Sequence, residues 1–201
     1  KGKKYGVTRL YTDLDTMLAE LPELDAVSVC TWNSAHAPCT IKALNAGKHV
    51  ICEKPVALSV GEFDEMVEAA KKNDRVLSVH QNRRWDVDFL AIKSLVESGE
   101  IGEVINIESR IHGSRGIPSD WRCHKQYGGG MVLDWGVHLI DQMLQLIPEK
   151  ITKVYCELNN ITTDEVDDGF RLTLNFENGV RAYLEVGTSN FINLPRWYMQ
   201  G

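Results

Sequence analysis

The chain has 201 residues, 43% hydrophobic and 25% charged, an ordinary globular composition long enough for one large domain or two small ones. Its net charge of −6 argues against non-specific attraction to nucleic acid or to an anionic membrane. No apolar run approaches the roughly 18 residues that a membrane helix needs, and no basic then apolar secretory opening is visible. The five cysteines (Cys30, Cys39, Cys52, Cys123 and Cys156) are odd in number, widely spaced and without C-x-x-C. That usage speaks against a disulfide framework or a zinc knuckle and fits a reducing cytosol.

Lys1 to Gly6 reads as the tail of a helix with its C-terminal glycine. Thr12 with Asp15 resembles a capping box, and Leu14, Met17, Leu18 and Leu21 fall at helical spacing. Ala26 to Cys30 predicts a buried strand. Ser34 is placed to cap the next helix, with Pro38 in its first turn and Gly47 at its end. His49 to Cys52 is a second buried strand. Ser59 and Glu62 form another capping box ahead of a stripe of Phe63, Met66, Val67 and Ala70. Val76 to Val79 is a third strand, and a helix follows from about Asp86 to Ser98, stopped by Gly99. Short strands with little alternation between amphipathic helices predict a parallel sheet covered on both faces.

Beyond Gly102 the period changes to two, with Ile105, Ile107 and Ile111 on one side. A polar loop covers Gly113 to Tyr127, and one long helix is expected from about Gly130 to Ile147, stopped by Pro148. Three alternating strands follow. Phe170, Leu172, Leu174 and Phe176 share one face, and Val180, Ala182, Leu184 and Val186 share the facing one across an Asn178-Gly179 turn. Arg196 to Gly201 carry no closing element. The expected organisation is an α/β unit over residues 1–85 and an α+β unit with a mainly antiparallel sheet over residues 86–201.

Ligands of an open parallel sheet bind at the carboxyl ends of its strands. The residues there are Thr31, Trp32, Asn33 and His36 after the first strand, Glu53, Lys54 and Pro55 after the second, and His80 to Arg84 after the third. Pro55 restricts Lys54 to extended geometry, and a partly desolvated amine held there is a usable proton donor or acceptor. A solvated surface turn fits the same tripeptide. In the long helix, Asp134, His138, Asp141 and Gln145 recur at i, i+4, i+7 and i+11, predicting one polar face on a buried helix. Such a stripe is either paired or lines a cleft. Asp134, one turn before His138, is placed to hold the imidazole in one tautomer. A structural Asp–His hydrogen bond fits as well, whereas a metal site lacks evident further ligands. Gly128 to Gly130 would let backbone approach a ligand closely. In the polar loop, Trp121 is the residue suited to stack on a ring and Arg122 lies beside it; a solvated connector is the competing reading.

Together, Thr31-x-Asn33-x-x-His36, Glu53-Lys54-Pro55, Asn82-Arg83-Arg84-Trp85, Gly128-Gly129-Gly130 and Asp134-x-Gly136-x-His138-x-x-Asp141 resemble the Gfo/Idh/MocA oxidoreductases in order and spacing. That family includes glucose–fructose oxidoreductase and inositol dehydrogenases. The resemblance implies a Rossmann domain for NAD or NADP, followed by a substrate domain on a large open sheet that serves oligomer formation, giving a cytoplasmic homo-oligomer. It implies that Lys54 and His138 handle the proton of a sugar, inositol or related polyol hydroxyl, with Asp134 orienting alongside. Thr31, Trp32, Asn33, His36, Glu53, Lys54, Asn82 and Arg83 would face the cofactor or site, and Trp121, Arg122, Asp134 and His138 the substrate. It also implies a cis bond between Lys54 and Pro55. Two other readings share the motifs: an NAD-using glycosidase in which oxidation and reduction cancel, and a non-catalytic nucleotide or sugar sensor. No G-x-G-x-x-G occurs, so the chain reads as a piece of a longer protein, truncated at both ends.

Overall fold

The computed structural model describes residues 2–192 and 194–201. In the first unit, Asp13 caps α1 (Leu14–Glu20), its carboxylate accepting from Thr16 N at 2.7 Å. It replaces the expected Thr12–Asp15 box because Asp13 is the extended residue just ahead of the first turn. Ser34 does not cap α2 (His36–Asn45). It sits inside a 3-10 turn, Asn33–Ala35, that winds directly into the helix, so no extended residue is left to act as a cap. Ser59 does cap α3 (Val60–Lys72), accepting from Glu62 N, while the Glu62 carboxylate reaches back one residue further than expected, to Leu58 N at 2.7 Å.

The strands β1 (Ala26–Val29), β2 (His49–Glu53) and β3 (Leu77–His80) form a parallel sheet in that order. Register aligns Val29, Cys52 and Val79 in one row and Val27, Val50 and Leu77 in the next. Val29, Val50 and Cys52 pack with Ala43 and Leu44 of α2 and Met66 and Ala70 of α3. The row Ser28, Ile51 and Ser78 points the other way and is exposed. The helices of this unit therefore cover one face rather than the expected two, the opposite row carrying two serines.

The first unit ends at His80 and the second begins at Gln81. The 3-10 turn Asn82–Trp85, expected to close the first unit, goes with the second because the helix α5 (Val137–Leu146) holds it. Gln142 Nε2 donates to Arg83 O at 2.9 Å, and Arg84 forms a bidentate pair with Asp141 at 2.8 and 2.6 Å. The Asp141 side chain is 14% exposed. Arg84→Ala leaves that carboxylate without its fork and should cost about 1–3 kcal/mol, read by urea titration.

The second unit continues with α4 (Val87–Ser98), closed by Gly99 at φ 70°. Its sheet is built from β4 (Asn106–His112), β5 (Ile151–Asn159), β6 (Gly169–Phe176), β7 (Arg181–Gly187) and β8 (Trp197–Gln200). The order is β5-β6-β7-β4-β8; β4 and β7 run parallel and the other neighbours antiparallel. The inner rows pair as the alternation predicts, Phe170 with Val186, Leu172 with Leu184 and Leu174 with Ala182, over Phe89 of α4 and Leu139 and Met143 of α5. The hairpin loop is three residues, 177–179, rather than the expected two: Phe176 N donates to Val180 O at 2.9 Å, and Gly179 takes φ 88°. The strand β8 was not expected. Its Trp197 stacks on Phe89 at 6.2 Å and donates Nε1–H to Asp88 at 2.9 Å, which fixes the segment to the sheet edge.

The expected long helix is in two parts, a π-helical turn over Val132–Gly136 and then α5. The wide turn adds a residue and rotates Asp134 by about 100° relative to the face of α5, which takes it off the expected stripe. Within α5 the remaining polar residues have different surroundings. His138 is 4% exposed, Asp141 is taken by Arg84, Gln145 is exposed, and the buried glutamine is Gln142.

Candidate functional site

In the first unit the polar residues gather at the carboxyl ends of the parallel strands. Glu53 and His80 are register partners, and His80 Nδ1 lies 2.8 Å from Glu53 Oε1. The other carboxylate oxygen accepts from Lys54 N at 3.3 Å. The Lys54–Pro55 bond is cis. After β1, Thr31 and Trp32 are exposed, Trp32 by 49%, and Asn33 is buried. His36 is not on the surface of this loop. Its ring is buried, with Nδ1 2.7 Å from Pro55 O and Nε2 3.2 Å from Thr31 O. It braces the loop from behind, because both ring nitrogens are spent on backbone.

Beneath them, burial pushes the Cys52 thiol up to about 11. It stays protonated at neutral pH, so brief alkylation at pH 8 should label the exposed Cys30 and Cys156 and spare Cys52, as read by peptide mass mapping. Its folded value is raised, so its contribution to stability is present below the unfolded value of 9.0 and is lost as pH rises through about 11.

In the second unit two chains of contacts meet on the π-turn. The Arg83 guanidinium lies 4.0 Å over the Trp135 ring, and Trp135 packs edge-on to His138 at 5.9 Å. Arg122 donates Nε–H to Asp134 Oδ2 at 3.1 Å and Nη1–H to Asp120 Oδ2 at 2.7 Å, with its guanidinium 4.6 Å from the Trp121 ring. The Asp134 side chain is only 13% exposed, so the Arg122 charge stabilises a carboxylate that burial alone would disfavour. Asn82 is exposed at the head of its turn.

Two of the three glycines bring protein together with protein. A Cβ on Gly129 would lie 2.2 Å from Arg122 O, and one on Gly130 would lie 2.4 Å from Asp167 Oδ1. Asp167 in turn accepts from Val132 N at 2.8 Å through its side chain and from Met131 N at 3.0 Å through its carbonyl. Burial holds the Asp167 carboxyl above the usual range. At Gly129 and Gly130 the close approach is therefore made by protein and not by a ligand. Sequence reading passed over His80 as a partner for Glu53 and Asp120 of the polar loop as a partner for Arg122, and it missed Trp135 and Asp167. The Glu53–His80 pairing needs the strand register, while the signal for Asp120 was its place two residues ahead of Arg122 at the start of a turn. Among the described residues no group of three or more His, Cys, Asp or Glu side chains is placed to hold a metal ion, and no helix is long and apolar enough to cross a membrane.

A parallel sheet with polar strand ends is followed by a mixed sheet covered by the π-turn and helix that carry Asp134, Trp135 and His138. Residues 2–81 match the oxidoreductase family, NAD-binding Rossmann fold, and residues 89–201 match the GFO/IDH/MocA C-terminal domain. The chain belongs to the Gfo/Idh/MocA oxidoreductase family. It superposes with a TM-score of 0.96 on the crystal structure of an NAD-binding protein from Listeria innocua, 48% identical, over 100% of this chain and 59% of that one. It is 31% identical to myo-inositol 2-dehydrogenase of Thermotoga maritima, over 91% of this chain and 55% of the relative. It is 33% identical to scyllo-inositol 2-dehydrogenase (NADP(+)) IolW of Bacillus subtilis, over 90% and 50%. The chain spans about half the length of the curated relatives it matches.

Proposed function

We propose that the complete protein is an NAD(P)-dependent dehydrogenase of a sugar, inositol or related polyol. The observation that carries this reading is the Arg122–Asp134 pair on the same π-turn and helix as the Arg83–Trp135–His138 stack. It puts a carboxylate and an imidazole, with aromatic rings, on one segment, which suits recognition of hydroxyl groups beside a ring face. The first unit offers the exposed Thr31–Trp32 loop and the Glu53–His80 pair at its strand ends, where a dinucleotide would be held. A bound nicotinamide supplies the hydride acceptor. Lys54 Nζ or the His138 ring takes the hydroxyl proton, while Asp134 and Arg122 orient neighbouring hydroxyls and Trp121 stacks on the ring.

The experiment is a panel of inositols, sugars and glycosides offered to the complete protein with NAD and with NADP. Reduced nucleotide formed with a polyol supports the reading. Glycoside cleavage without net reduced nucleotide points to the glycosidase, and dinucleotide binding with no turnover points to a sensor.

The reading includes a cytoplasmic homo-oligomer, in keeping with five free cysteines. The outer face of the second sheet supports self-association. Glu157, Arg171, Glu185 and Arg110 align across β5, β6, β7 and β4 with alternating charge, beside the exposed Tyr155 and Tyr198. An alternating row is complementary to its own two-fold copy. Sedimentation of the complete protein should give a dimer or tetramer that Arg171→Glu weakens; a monomeric wild type would contradict this.

A further inference from the structure

His36 is where two strand-end turns of the first unit are joined. It opens α2, a helix locked to the sheet by Ala37, Ala43 and Leu44, each at most 4% exposed. The ring itself is 1% exposed, yet both of its nitrogens face backbone oxygens: Pro55 O at 2.7 Å and Thr31 O at 3.2 Å. A carbonyl oxygen only accepts, so a ring nitrogen bonds it as an N–H donor. Immediately before Pro55 stands Lys54, and immediately after Thr31 stand Trp32 and Asn33.

We infer that His36 is a positioning residue with two separable arms. Through the Pro55 carbonyl it sets the place of Lys54, and through the Thr31 carbonyl it sets the loop that meets the dinucleotide. The inference rests on the roles given to Lys54 and to that loop in the preceding section. It adds that a buried ring in contact with neither substrate nor cofactor tunes both turns.

Two near-isosteres separate the arms. The amide nitrogen of asparagine reaches the position of Nδ1, so His36→Asn keeps a donor for Pro55 O and loses the Thr31 contact. The amide nitrogen of glutamine reaches the position of Nε2, so His36→Gln does the reverse. In the complete protein, His36→Asn should weaken NAD(P)H affinity by about tenfold and lower turnover less. His36→Gln should lower kcat by about tenfold and weaken affinity less. His36→Leu should lose both.

Affinity is read from the fluorescence of reduced nucleotide, turnover from steady-state kinetics and folding from Tm. Asparagine and glutamine variants that match each other on both readouts, or that lose both in proportion to Tm, overturn the inference. Lys54→Met, run beside them, separates this outcome from failure of the underlying reading. If Lys54→Met turns over normally, the role of Lys54 falls and the Pro55 arm falls with it. If it is inactive while the two His36 variants are indistinguishable, the His36 inference alone falls. Should a His36 variant not fold, nitrogen NMR of the wild type decides. At least one His36 ring N–H proton protected from exchange is expected, and rapid exchange of both overturns the inference.

Discussion

Lys54→Met in the complete protein should lower kcat for polyol oxidation by about 10²–10⁴-fold, with a much smaller change in dinucleotide affinity. The magnitude is that of removing one positioned proton-transfer group. Methionine keeps the length and apolar stem of the side chain and removes only the amine, so packing around the turn is preserved. The turn is also held by His80 on the Glu53 carboxylate and by His36 on the Pro55 carbonyl. A loss of turnover at unchanged Tm therefore reports chemistry and not collapse of the site. The pH–rate profile is the second readout, since removing an acid or base should flatten the limb it governs. Equal losses in kcat and in dinucleotide affinity would mean that Lys54 serves binding alone.

Gly129→Ala should unfold or severely weaken the second unit, costing about 3 kcal/mol or more in urea titration. The added carbon would stand 2.2 Å from Arg122 O, 2.7 Å from Arg122 C and 2.9 Å from His124 O, all of them backbone. No side-chain rotation relieves such a clash, so the Arg122 to His124 segment must move. That segment accepts hydrogen bonds from Gly130 N at 2.9 Å and Gly129 N at 3.2 Å, and it carries the guanidinium bound to Asp134. Whatever fraction folds should also turn over poorly, because Arg122 is displaced from Asp134. Gly113→Ala is the control: a Cβ there meets nothing within 4 Å, so stability should change by no more than about 0.5 kcal/mol. A Gly129→Ala protein as stable as the control would refute the close approach.

The class of each half was legible because period and burial coincide. The period-two run from Phe170 to Phe176 gave both a strand and its inward face, and Asn178-Gly179 gave the hairpin. The helix carrying Asp134 and His138 was legible as a helix but not as a broken one. A π-turn leaves no composition signal, and its inserted residue rotates Asp134 away from the α5 face that carries His138. The strand β8 was missed although Trp197 and Met199 alternate with Tyr198 and Gln200, because four residues after an irregular stretch carry little pattern. In the site, residue types were legible while their partners were not. Nothing local pairs Glu53 with His80, Arg122 with Asp134, or His36 with two carbonyls, since each depends on register or on a loop folding back. The same limit explains the glycines: the sequence marks a close approach at Gly129 and Gly130 without saying that Arg122 and Asp167 make it.

The most direct test of the central claim follows a labelled hydrogen. The complete protein is given a polyol deuterated at its carbinol carbons together with NAD or NADP, and the reduced nucleotide is weighed by mass spectrometry. The account predicts one deuterium on each nicotinamide formed, in step with the ketone produced, and no transfer in the Lys54→Met, His138→Gln double variant. Ketone formed without labelled nucleotide, or a double variant that transfers as fast as wild type, would contradict it.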